Sequence, residues 1–185
     1  LDMDHPDIGS FINWKVREEI KVQAMVEGLK SIAGKKASAS DAMTIGETAS
    51  KLGLKLDYDF NGEAYQTVSG QNSNNSVRMP DEFFQTLAAD GEWKTYYRTS
   101  GKLAKTFKAR DLWDQIGYAA WRCADPGVQF DGTINAWHTC PAGGRINASN
   151  PCSEYMFLDN TACNLASINV LKFYDAGESV FDVDR

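Results

Sequence analysis

An alternation of helix-like and strand-like segments is the feature that most constrains the fold of this chain. Apolar residues recur at helical spacing over residues 11–32 and again over 112–121. A proline followed by two acidic residues predicts another helix over residues 81–89. Short extended runs at 77–79 and 128–130 lie between these helices. The alternation favours an α/β architecture.

Local signals set the expected boundaries of these elements. Ser10 is a plausible N-cap for the first helix, and Gly34 is its expected stop. A weaker helix is expected over 42–52, inside a segment, residues 35–65, that we expect to be mobile or inserted. Residues 94–98 fit either a short strand or further helix, and residues 131–150 indicate long loops carried on strands.

Composition excludes several classes of function. The 185 residues, 43% of them hydrophobic, can bury a sizeable core in one domain. A net charge of −6 argues against a surface that binds nucleic acid or anionic lipid. The chain has neither a membrane-length apolar run nor a signal-peptide pattern, so we expect a cytoplasmic location. Because it begins at Leu1 and stops in a helix-like run at 182–185, we expect a piece of a longer protein.

The cysteines do not form a recognised metal or disulfide pattern. Cys123, Cys140, Cys152 and Cys163 include no C-x-x-C pair, so each is expected to be a free thiol in a reducing cytosol. A cysteine hydrolase would need a base, and His5 and His138 are the histidines of the chain. Neither lies in a known hydrolase motif. A metal site using His138 and Cys140 lacks the usual ligand spacing, so no metal is expected.

A polar loop precedes the first extended run. Residues 69–76 are almost all small or polar and lead directly into the strand predicted at 77–79. We expect Asn74 and Asn75 to lie near a polar ligand, and a solvated surface loop is the alternative.

The most informative segment has the sequence N-P-C-S-E at residues 150–154. The proline pushes Asn150 toward an extended backbone, in which residues two apart share a face. Asn150, Cys152 and Glu154 would then supply a hydrogen-bonding anchor, a redox or nucleophilic centre and a base. The alternative is structural: a packed thiol, a surface carboxylate and a turn-forming asparagine.

This segment resembles the N-x-C-x-E signature of ribonucleotide reductase large chains. The run A-C-N-L-A-S-I-N at 162–169 is similar to the stretch that follows the signature, with Ala166 where glycine is commoner. Residues 4–15 and 137–146 resemble the class II, adenosylcobalamin-dependent branch. The resemblance covers nearly the whole chain and is least clear at residues 35–65.

The resemblance implies a fold and a set of roles. The chain would be part of a ten-stranded α/β barrel, truncated at both ends, with Cys152 at the tip of a central finger loop. Cys152 would become the thiyl radical that removes the 3′ hydrogen of a ribonucleotide. Glu154 would take the 3′-hydroxyl proton, and Asn150 would bind the ribose hydroxyls. Cys163 would be one of two reducing thiols, whereas Cys123 and Cys140 are expected to be packed thiols.

The resemblance also implies parts outside this chain. Effector sites for dNTP and ATP and the second reducing thiol would precede Leu1, and the phosphate-binding loop and tail cysteines would follow residue 185. The whole enzyme would make deoxyribonucleotides for DNA synthesis, as a homodimer recharged by a thioredoxin-type reductant. Two alternatives stay open: a class I reductase, whose radical comes from a metal-containing subunit, and a catalytically silent fragment or interaction module.

Overall fold

The computed structural model describes residues 1–55, 57 and 61–184. These residues divide into two compact units, Leu1–Pro141 and Ala142–Arg185, which are described separately below. In the described part of the chain, no helix is both long enough and apolar enough to cross a membrane.

The first unit contains all the α-helices and the longer strands of the described residues. Its helices are α1 (Ile8–Ile32), α2 (Ile45–Lys51), α3 (Asp81–Ala88), α4 (Ala109–Cys123) and α5 (Asp131–Ala136). Its strands are β1 (Ser76–Met79), β2 (Glu92–Tyr96), β3 (Leu103–Lys108) and β4 (Gly127–Phe130). In the described part of the second unit, each strand has two residues: β5 (Ala148–Ser149), β6 (Met156–Phe157), β7 (Tyr174–Asp175) and β8 (Val180–Phe181).

Parallel pairing of β1 with β4 confirms the expected α/β arrangement. The pairing runs from Ser76 opposite Gly127 to Met79 opposite Phe130. The crossover between these strands contains α3, the antiparallel β2–β3 hairpin and α4. The start of the chain lies along the other edge of β1, where Met3 N–H donates to the Arg78 carbonyl at 3.0 Å.

The core forms where the apolar stripes of α1 and α4 meet β1 and α3. Ile12 and Val16 from α1 are buried with Leu112 and Ile116 from α4, at the helical spacing seen in the sequence. Phe83 is fully buried and packs edge-on against Trp93 of the hairpin, with ring centroids 5.2 Å apart. The helical spacing of apolar residues that predicted both long helices is therefore also the spacing of their buried side chains.

Helix starts differ from the expectations. The first helix begins at Ile8 with Asp7 in the N-cap position, so Ser10 lies inside the first turn and the N-cap prediction was wrong. The second helix is shorter than the predicted 42–52, because a pair of hydrogen bonds caps it at Thr44. The Thr44 hydroxyl accepts from Glu47 N–H, and the Glu47 carboxylate accepts from Thr44 N–H. This capping box satisfies the exposed donors of the first turn and sets the start at Ile45.

Two elements were missed. Residues 131–150 were expected to be loops, but the first six form α5. Asp131 lies in the first turn of α5, where the helix dipole favours a carboxylate, and its main-chain carbonyl accepts from the Asn135 amide at 3.1 Å. Strand β3 was also missed, because it is stabilised by pairing with the preceding strand β2, with Phe107 opposite Trp93. The sequence of residues 94–98 fits either a strand or a helix, and the structure shows a strand that covers Glu92–Tyr96.

The ten-stranded barrel is not visible in this part of the protein. The described residues form four separate two-stranded sheets and no closed barrel. Within the segment 35–65, residues 56 and 58–60 lie outside the described residues. The described remainder includes α2, which is tied to the end of α1 by Gly46 N–H donating to the Ala33 carbonyl at 2.8 Å.

A buried ion pair holds the polar loop against α1. The Lys15 ammonium contacts the Asp125 carboxylate and donates to the Ser73 carbonyl, and the two charged side chains are only 12% and 14% exposed. Gly70 adopts φ +73 beside Trp14, so an added Cβ would lie 2.9 Å from the indole. The loop before β1 is therefore an ordered structure.

Replacing Lys15 by methionine is expected to loosen this loop. The substitution leaves the Asp125 carboxylate without its cation and costs about 2 to 4 kcal/mol of local stability. In the full-length protein, hydrogen exchange should then speed up by roughly 30-fold or more in peptides covering residues 70–78 and 125–130. Lys21→Met is the control, because its ion pair with Glu18 is exposed and contributes little. Unchanged protection in the Lys15 variant would contradict the role of the pair.

Candidate functional site

The N-P-C-S-E segment forms the tip of a short hairpin in the second unit. Strands β5 and β6 pair antiparallel, with Ala148 opposite Phe157 and Ser149 opposite Met156. The loop between them begins with a β-turn, in which Ser153 N–H donates to the Asn150 carbonyl at 3.0 Å. Proline suits the second position of such a turn because its φ is already near −65°. The tip is thus a defined local structure.

The extended backbone expected for this segment was wrong. Closing the turn brings residue 150 back toward residue 153, and Ser153 takes a left-handed φ of 62°. The rule that residues two apart share a face therefore does not apply across the tip. Cys152 and Glu154 are both exposed, and Asn150 is partly buried at the base of the turn.

The side chain of Asn150 is engaged within the hairpin. Its carbonyl oxygen Oδ1 accepts from Tyr155 N–H at 3.0 Å, and its own main-chain N–H donates to the Tyr155 carbonyl at 3.3 Å. An amide has both an acceptor and a donor end. Because the acceptor end holds the turn, the NH₂ group of Asn150 is the end suited to bind a ligand.

A cavity of about 330 Å³ lies beside the hairpin. Asn150 and Cys163 both line it, together with Tyr155 and Thr161. Cys163 is exposed, like Cys152. The structure therefore brings the amide and the second thiol of the predicted site to one cavity, with Cys152 and Glu154 on the adjoining turn.

The other predicted ligand residues lie in the first unit. Asn75 is partly buried: its side-chain oxygen accepts from the Ser73 hydroxyl at 3.2 Å, and its main-chain carbonyl accepts from Gly127 N–H at 2.8 Å. Asn74 is exposed. Contact of Asn74 and Asn75 with substrate stays a prediction.

Comparison with known proteins identifies the family. The model of the family described as "Ribonucleotide reductase, barrel domain" matches residues 1–185, the entire chain. The chain belongs to this ribonucleotide reductase family. The resemblance stated from the motifs is confirmed, and with it an α/β fold of the reductase type.

Curated relatives support the same assignment. The "Vitamin B12-dependent ribonucleotide reductase" of Bradyrhizobium diazoefficiens is 46% identical over 100% of this chain, which covers 18% of that relative. The protein of the same name from Streptomyces clavuligerus is 45% identical over 100% of the chain and 17% of its own length. A "Vitamin B12-dependent ribonucleoside-diphosphate reductase" from Thermoplasma acidophilum is 39% identical over 62% of the chain and 15% of its own length. The chain thus spans less than a fifth of the length of these relatives.

The two remaining cysteines of this reductase segment differ from each other. Cys123 is partly buried at the end of α4, where its thiol donates to the Ala119 carbonyl at 3.2 Å. Burial, reinforced by the Glu19 carboxylate, raises the pKa of the Cys123 thiol, so it stays protonated and packed. Cys140 was expected to be packed as well, but it is exposed, because it lies in the polar segment after α5.

Two residues of the site were not identified from the reductase motifs. Tyr155 and Thr161 lie between the two motifs, and the Tyr155 hydroxyl donates to the Thr161 hydroxyl at 2.8 Å. An aromatic residue directly after Glu154 was the available signal in the sequence. Its partner could not be found without the path of the chain after β6.

Proposed function

We propose that this chain is the radical-bearing segment of an adenosylcobalamin-dependent ribonucleotide reductase, which converts ribonucleotides to 2′-deoxyribonucleotides for DNA synthesis. The observation that carries the proposal is the exposed Cys152 thiol at the tip of a turn that also holds Asn150 and Glu154. The names of the full-coverage relatives support the cobalamin requirement.

The residues of the turn fit this chemistry. Adenosylcobalamin, when bound, supplies the radical through homolysis of its cobalt–carbon bond. The Cys152 thiol would pass its hydrogen atom to the carbon radical that this homolysis releases and would itself become the thiyl radical. The transfer needs a sulfur that other groups can reach, and the Cys152 thiol is exposed. The thiyl removes the 3′ hydrogen of the ribose. Glu154 accepts the 3′-hydroxyl proton, as an ionised carboxylate can.

Binding and reduction fall to the residues at the cavity. The NH₂ group of Asn150 donates to the ribose hydroxyl oxygens, since its carbonyl end is held by Tyr155. Cys163 and a second thiol outside this chain each give up one electron and one proton, forming a disulfide as the 2′-hydroxyl leaves as water. The Cys152 thiol then returns a hydrogen atom to the 3′-carbon radical, which completes the deoxyribose and leaves the thiyl radical on Cys152 again.

The larger assembly follows from the same proposal. The β5–β6 hairpin would be the tip of the finger loop inside a ten-stranded barrel completed by the rest of the protein. Asn74 and Asn75 would lie near the substrate. Effector nucleotides, the phosphate-binding loop and the contacts with a thioredoxin-type reductant would belong to other parts of a homodimeric cytoplasmic enzyme.

The test is the cofactor requirement of the full-length protein that contains this segment. Purified with a dithiol and a ribonucleotide, it should form deoxyribonucleotide only when adenosylcobalamin is added. The 185-residue chain alone should form none, because on this proposal the second thiol and the phosphate-binding loop belong to other parts of the enzyme. Activity that needs an iron- or manganese-containing subunit and not cobalamin would assign the protein to class I instead.

A further inference from the structure

Tyr155 connects the two cysteine-bearing segments of the second unit. Its main-chain N–H donates to Asn150 Oδ1 at 3.0 Å, which fixes the turn that carries Cys152. Its phenol donates to the Thr161 hydroxyl at 2.8 Å, two residues before Cys163. The Thr161 hydroxyl in turn donates to the Leu158 carbonyl, which closes the chain around the bridge.

The segment that carries Cys163 has few other constraints. Residues 161–169 form neither helix nor strand, and all of them are exposed. A second hydrogen bond joins the residues just outside the two strands of the hairpin, where the Asn147 side-chain amide donates to the Asp159 carboxylate at 3.0 Å. The Tyr155 ring packs near Phe157, with centroids 6.2 Å apart, and this contact helps to hold the orientation of the phenol. The Cys163 thiol contacts the carbonyl of its neighbour Asn164 at 3.9 Å. Among the described residues, the bond from Tyr155 to Thr161 is the next side-chain hydrogen bond along the chain from Cys163.

Resting on the function proposed above, we infer that Tyr155 is a positioning residue that sets the reach of Cys163 into the cavity lined by Asn150. Cys152 acts at the 3′ carbon and Cys163 at the neighbouring 2′ carbon of one ribose. Two groups that act on adjacent atoms need a fixed separation, and small misplacements slow such steps. By holding Thr161, the phenol of Tyr155 fixes the distance between the Cys152 turn and the segment that carries Cys163.

The experiment removes the phenol hydroxyl alone, using Tyr155→Phe in the full-length protein with adenosylcobalamin. The variant keeps the ring and the main-chain N–H to Asn150. Cobalamin cleavage on mixing should proceed at the wild-type rate, and KM should change less than about twofold, because the Cys152 turn is intact. Product formation should fall about three- to tenfold, the effect of losing one hydrogen bond of ordinary strength. More cobalamin should therefore be cleaved per product formed.

Variants of the partner test the bridge itself. Thr161→Val should likewise raise the amount of cobalamin cleaved per product formed. The double variant should be no worse than Thr161→Val, because both substitutions remove the same hydrogen bond. Thr161→Ser keeps a hydroxyl and should give the wild-type amount of cobalamin cleaved per product. Tyr174→Phe is the control, since Tyr174 lies in the same unit and its ring packs at a tilt against Phe181, with centroids 5.0 Å apart.

Distinct results would overturn the inference. One is a Tyr155→Phe variant that keeps the wild-type ratio of product formed to cobalamin cleaved. Another is a double variant whose loss of product equals the product of the two single-variant losses. An equal loss of cobalamin cleavage and product would place the role in the Cys152 turn instead. If the wild-type protein itself needs no cobalamin, the proposed function fails, and that result is separate from the behaviour of Tyr155.

Discussion

Cys152→Ser in the full-length protein is expected to abolish both productive cobalamin cleavage and deoxyribonucleotide formation. An alcohol O–H bond is a far poorer hydrogen-atom donor than a thiol, so the radical cannot form on serine. Cys163→Ser should behave differently, because it leaves the radical centre in place. Cleavage and 3′ hydrogen abstraction should survive, while reduction at the 2′ carbon fails.

Rapid-mixing spectroscopy of cobalamin cleavage, run beside a product assay, separates the two cysteines. Cys140→Ser is the matched control, because Cys140 is an exposed thiol of this chain outside the proposed site. It should retain wild-type cleavage and turnover. Equal loss of cleavage in the Cys152 and Cys163 variants would refute the division of roles, and full activity of Cys152→Ser would refute the whole proposal.

Glu154→Gln is expected to slow product formation by about 100- to 10,000-fold, the usual contribution of a general base. Glutamine keeps the shape of the side chain but cannot accept the 3′-hydroxyl proton. Because the thiol is untouched, cobalamin cleavage should persist. The measurement is single-turnover product formation alongside the cleavage signal.

An exposed carboxylate elsewhere in the second unit provides the comparison for Glu154. Glu178 is exposed in the turn between β7 and β8, and Glu178→Gln should leave both signals unchanged. If Glu154→Gln retains product formation within about threefold of wild type, another group must act as the base.

The two long helices and the protein family could be predicted from the spacing of apolar residues and from short motifs. The helical spacing of apolar residues predicted α1 and α4, and the structure buries Ile12 and Val16 of α1 with Leu112 and Ile116 of α4. The motif at residues 150–154 identified the family, which the match over residues 1–185 confirmed. The roles of Asn150, Cys152, Glu154 and Cys163 remain predictions.

Features that depend on a specific hydrogen bond or on a neighbouring strand were missed or misjudged, even where the partners are close in the sequence. Strand β3 needed β2 beside it, and the start of α2 was decided by the reciprocal bonds of Thr44 and Glu47 rather than by propensity. The motif itself was expected to be extended, yet the hydrogen bond from Ser153 to Asn150 closes it into a turn.

The sequence by itself determined which side chains could carry the chemistry, since thiol, carboxylate and amide are fixed by residue type. The tertiary structure decided how they are presented. The bond from Tyr155 N–H to Asn150 Oδ1 fixes the orientation of the amide, and the hydroxyl bond from Tyr155 to Thr161 ties the segment of Cys163 to the same cavity. The first contact depends on closure of the β5–β6 hairpin, and the second on the chain folding back after β6.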